Sequence, residues 1–103
     1  MHSTATRYLA DTVRRYLSAI ESAAQHVRRR EQANCRNFLR YLDETGHLNE
    51  GTVETWICRS GSARSEVRRR RLSTIRRLLA MTPGPDAEHL AQWLDANRQR
   101  LLQ

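Results

Sequence analysis

Apolar residues recur three and four positions apart in five separate stretches, and no stretch alternates apolar and polar residues over a strand's length. The first stretch, 6–22, carries Leu9, Val13, Leu17 and Ile20 with Tyr16 beside them, uninterrupted by Gly or Pro. The pattern weakens at 24–26, where a short turn or kink is expected. A second helix is expected over 27–44, with Cys35, Phe38, Leu39 and Leu42 on one side. Gly46 stands where a left-handed C-terminal cap belongs. After a loop at 48–51, Thr52 is the expected cap of a third helix over 53–59, with Val53, Trp56 and Ile57 inward. Ser60 and Gly61 break it, and Ser62 is the expected cap of a fourth helix reaching 81. Thr82-Pro83-Gly84-Pro85 is a firm stop. Asp86 is then expected to cap a fifth helix, 87–102, with Leu90, Trp93, Leu94 and Leu101 in its stripe and Asn97 interrupting it. The pattern predicts an all-α fold, a four-helix bundle plus one, divided into a domain at 1–82 and a terminal helix at 83–103.

The polar faces change this picture. The stretch 62–81 carries Arg64, Arg68, Arg69, Arg70, Arg71, Arg76 and Arg77 against one acid, Glu66. At ~100° per residue, Leu72, Ile75, Leu78 and Leu79 share one side of the helix, and Arg69, Arg70, Ser73 and Arg77 fall opposite. On the second helix Arg29, Ala33, Arg36 and Arg40 oppose the apolar stripe, with Arg30 and Asn37 at its edge. A charge run is more often a solvated face than a binding one. Here the acids that such a face places at i±4 are sparse, which favours a polyanion as partner.

The chain has 103 residues, the size of one domain. Its formal charge is +7 and its pI about 10.9. All 18 basic residues are arginine, whose rigid donor fork fits phosphate and base edges. A GC-rich genome would equally favour Arg over Lys. Nucleic acid is the expected partner of such a charge. Cys35 and Cys58 lack metal-ligand spacing and are expected to be buried free thiols. No apolar run approaches a membrane span, so no membrane partner and a cytoplasmic location are expected, although the acid-poor amphipathic start shares features of a transit peptide. No metal site, cofactor, Ser-His-Asp set, carboxylate pair or Gly-rich phosphate loop is evident.

Phe38-Leu39-Arg40-Tyr41-Leu42, then Gly46, then Val53-Glu54-Thr55-Trp56, then Arg70-Arg71-Leu72-Ser73-Thr74-Ile75-Arg76 follow one another in order and spacing. This succession resembles the core-binding domain of tyrosine recombinases, the phage integrase and Xer group, over residues 6–81. The resemblance implies a SAM-like bundle of two crossed helix pairs, one half of a clamp around a recombination site, with the second and fourth helices toward the major groove. It carries Arg29, Arg30, Ala33 and Arg36 of the second helix and Arg70, Ser73 and Arg77 of the fourth to the DNA side. Ala33 could offer only apolar contact there. Glu66 departs from the pattern and would oppose phosphates unless an arginine neutralises it. The family's catalytic Arg, His-x-x-Arg and tyrosine nucleophile belong to a further domain with no counterpart in these residues. His26-Val27-Arg28-Arg29 matches His-x-x-Arg only literally, and Tyr8, Tyr16 and Tyr41 are expected to be core or interface rings. No catalytic residue is therefore expected, and this chain alone should not cut or join DNA.

Two other readings stay open. Residues 53–79, with Arg59-Ser60-Gly61 as the turn, could form a helix-turn-helix of a small transcriptional regulator. The fifth helix, through Leu90 and Trp93, could dock on a neighbouring protomer or on a catalytic recombinase domain.

Overall fold

A computed structural model of the chain describes residues 4–59 and 64–103. The described residues form five α-helices and no strand, the all-α class expected. They are α1 (Thr4–Ala19), α2 (Gln25–Thr45), α3 (Glu50–Cys58), α4 (Ser65–Ala80) and α5 (Pro85–Leu101). The chain divides into two compact units, Met1–His47 and Leu48–Gln103.

The first unit is a helical hairpin of α1 and α2. Leu9, Val13 and Tyr16 of α1 and Cys35, Phe38 and Leu42 of α2 are buried. α1 stops three residues short of the expected 22. The backbone tightens there, with Glu21 N–H donating to Ser18 O at 3.2 Å and Ala23 N–H to Ile20 O at 2.9 Å. These i→i−3 bonds satisfy terminal carbonyls by winding the last turn closer. α2 starts two residues earlier than expected, because the Ala24 carbonyl accepts from Val27 and Arg28 N–H at 3.0 and 3.1 Å. It ends as expected at Gly46, whose φ of 78° is left-handed and whose N–H donates to Leu42 O at 2.7 Å. One buried group in this unit, beside the buried Thr6 and Thr12, is charged. Glu31 is 3 % exposed and accepts a short hydrogen bond from the Tyr16 hydroxyl. Asn34 Nδ2 reaches its other oxygen at 3.4 Å.

The second unit packs α3, α4 and α5 together. Val53, Trp56 and Ile57 of α3 are fully buried, as the spacing predicts. The cap of α3 is Asn49 and not Thr52. Asn49 Oδ1 accepts from Thr52 N–H at 2.9 Å, and Thr52 Oγ1 accepts in return from Asn49 N–H at 3.0 Å. This reciprocal box satisfies two terminal donors at once and starts the helix at Glu50. Leu72, Ile75, Leu78 and Leu79 of α4 are buried together with Thr74. Arg64 holds the N-cap position of α4 without a side-chain cap bond, and the expected cap, Ser62, lies outside the described residues.

α5 also begins earlier than expected. Gly84, with φ 109°, holds the N-cap position and Pro85 opens the helix. Proline's fixed φ suits the first helical position, where its missing N–H costs nothing. Asp86 therefore lies inside the first turn with Glu88, where both complement the positive end of the helix dipole. The break expected at 82–83 falls inside this unit, because α5 buries Ala87, Leu90, Ala91, Leu94 and Leu101 against its own chain.

Candidate nucleic-acid interface

α2 turns one apolar and one basic side to opposite directions. Glu31, Cys35, Phe38 and Leu42 are buried. Half a turn around the helix, Arg29, Ala33, Arg36 and Arg40 are all exposed. The four advance at spacings of four, three and four, so they form one straight row about 16 Å long. Arg30 is half-buried at the edge, its Nε buried without a hydrogen-bond partner, and Asn37 is exposed beside the row. None of Arg29, Arg36 and Arg40 forms an ion pair among the described residues. His26 is exposed in the first turn of α2.

α4 divides its arginines among different tasks. Arg69, Arg70 and Arg77 are exposed and Ser73 is half-buried, on the side opposite the apolar stripe, as the periodicity predicts. Glu66 belongs to the same side, and Arg70 Nη2 contacts its Oε1 at 2.5 Å. The acid that would have faced phosphates is thus neutralised one turn on. The remaining arginines serve the fold. Arg68 donates to the Gln103 carbonyl at 2.6 Å. Arg71 donates to the Trp56 carbonyl at 2.7 Å and lies over the indole. Its burial lowers its pKa. Arg76 makes a forked pair with Asp95 of α5, at 2.9 and 3.1 Å. That hydrogen-bonded pairing raises the Arg76 pKa and lowers that of Asp95.

The sparseness of acids at i±4 therefore understates compensation. Arg70 is answered within its helix, and Arg76 by a residue 19 positions away. Arg100 of α5 is likewise answered by Glu54 of α3 at 2.8 Å. Neither distant partner can be found from helix spacing, since both depend on how α5 packs.

The thiols are free, but only Cys35 is buried, while Cys58 is half-buried with its Sγ 3.5 Å from the Leu101 carbonyl. Tyr16 is core and Tyr41 half-buried, whereas Tyr8 is half exposed. Trp93 is half-buried, and its carbonyl accepts from Asn97 Nδ2 at 2.9 Å. Of the expected turn of the alternative helix-turn-helix, Arg59-Ser60-Gly61, the residues Ser60 and Gly61 lie outside the described residues. Among the described residues no three His, Cys, Asp or Glu side chains could hold a metal ion, and no helix is long and apolar enough to cross a membrane. No protein-family model, curated protein or solved structure matches the chain.

Proposed function

We propose that this chain binds duplex DNA through the arginine row of α2, that the outward arginines of α4 make contacts of their own, and that it does so without cutting or joining strands. The observation that carries this reading is the row Arg29, Ala33, Arg36, Arg40, exposed and opposite a buried stripe on one regular helix. Guanidinium groups held in line at a fixed pitch suit a regular polyanion. They contact phosphates for position and guanine edges for sequence. Ala33 between them admits close approach and apolar contact with a thymine methyl. On α4, the exposed Arg69, Arg70 and Arg77 add contacts of their own, with Arg70 shared with Glu66. The net charge of +7 supports the same partner. Such binding is the role of the core-binding half of tyrosine recombinases, which the sequence resembles.

Fluorescence anisotropy with a labelled duplex tests the proposal. Affinity on the order of micromolar is expected, with a slope of log K against log salt near about −4.5 for roughly five phosphate contacts. The triple variant R29A/R36A/R40A should reduce that slope by about 2 to 3. Absence of salt-dependent affinity for any duplex overturns the proposal. The packing of α3 on α4 favours a second reading, a helix-turn-helix regulator reading DNA with α4 alone. In that case R69A/R77A abolishes binding and the α2 triple variant leaves it intact.

A further inference from the structure

Within the first unit, α1 and α2 border an open recess of about 430 Å³. Its apolar lining comes from Ala10 and Leu39, both half-buried. Thr6 Oγ1 donates to the Leu39 carbonyl at 3.3 Å, so the two helices are tied at this level. Among the described lining residues, Arg7 contributes from α1 and Arg36 and Arg40 from α2, against one carboxylate, Asp43. Three positive groups and one negative leave a formal excess of +2 around an apolar surface. Leu39 belongs by sequence to the apolar side of α2, yet it is not covered as Phe38 and Leu42 are.

We infer that this recess binds a small amphiphilic anion, an alkyl or aryl body carrying a carboxylate. Size and charge select that occupant. The volume lies within the range of small-molecule sites, which are mostly apolar with a few placed polar groups. The α2 side of the recess runs from residue 36 to 43, about 10 Å, and the α1 side from 6 to 10, about 6 Å. That length suits one short apolar chain and is too short for a docked helix of several turns. An apolar body covers Leu39 and Ala10, and a carboxylate can accept paired N–H bonds from a guanidinium fork at the rim. A cationic amphiphile of the same body would meet the excess positive charge instead.

The inference stands independently of DNA binding, because its test contains no nucleic acid. The full chain, uniformly 15N-labelled, is titrated with octanoate and, separately, with octylammonium. Octanoate should shift the amides of Ala10, Leu39 and Arg40 saturably, and octylammonium should bind at least about tenfold more weakly. Ala10→Glu, which places bulk and negative charge in the recess, should abolish the octanoate shifts. Arg40→Gln, at an exposed position, should weaken them by about tenfold, with the helical circular dichroism of both variants unchanged. The inference is overturned if the two amphiphiles act equally, if the shifts rise linearly without saturation, or if either folded variant binds octanoate as the parent does.

Discussion

The guanidinium of Arg71 lies 4.9 Å from the centre of the Trp56 ring, and its Nη1 donates to the carbonyl of that same residue. One arginine in a run of four thus joins α4 to α3 through both the ring and the backbone of a fully buried tryptophan. Arg71→Ala should lower stability by about 1–3 kcal/mol, read as a reduced midpoint in urea denaturation. Arg71→Lys should recover only part, since lysine has no planar fork to lie over the ring. Neither variant should change the salt slope of duplex binding.

The Tyr16 hydroxyl is the corresponding tie in the first unit, where it donates to the buried Glu31. Tyr16→Phe leaves that carboxyl short of a donor and should cost about 1–3 kcal/mol. Because the two groups share one interaction, the double variant Tyr16→Phe with Glu31→Gln should cost less than the sum of its parts. A double-mutant cycle by chemical denaturation measures the difference.

Asp95 and Glu54 are each held below the ordinary carboxylate range, chiefly by hydrogen bonds from Arg76 and Arg100. A carboxyl whose folded pKa is depressed stabilises the fold above its unfolded pKa and loses that contribution as pH falls through the folded value. The urea midpoint should therefore hold steady from neutral pH to about 5 and fall below about 4. Asp95→Asn should flatten part of that fall. Both pairs are partly solvated, so 1 M salt should reduce their contribution.

Burial pushes the Cys35 thiol up to about 12, with Glu31 adding to the shift. Cys58 is also raised by burial, but it is only half-covered. A disulfide-exchange reagent at pH 8 should modify one thiol readily in the native protein and the second only on unfolding. Mass spectrometry should place the fast label on Cys58.

Gly46 carries its left-handed φ where an added Cβ would meet nothing within 4 Å. Gly46→Ala should thus cost about 1 kcal/mol from backbone conformation alone, measurable as a shift in the thermal midpoint.

The helices were legible in the sequence because their stripes repeat at helical period: Leu72, Ile75, Leu78 and Leu79 are buried as the spacing requires. Gly46 was legible for a similar local reason. Helix starts were less so. Asn49 and Thr52 are both capping residues, and only the reciprocal hydrogen bonds show which one stands outside the helix. Pro85 can end one segment or open the next, and here it opens α5. The outward sides of α2 and α4 followed from periodicity, but the partners of Arg76 and Arg100 did not, being set by tertiary packing. The recess beside Leu39 was equally hidden, since Arg7 and Arg36 are 29 positions apart and line one recess only through the α1–α2 pairing.

The pairing of α1 with α2 is completed within Met1–His47. A ribosome that has released those residues has already supplied both sides of the hairpin, including Tyr16 and its acceptor Glu31. Short sequence separation between partners favours fast closure. The N-terminal hairpin can thus begin to assemble during synthesis while residues of α4 and α5 are still being added.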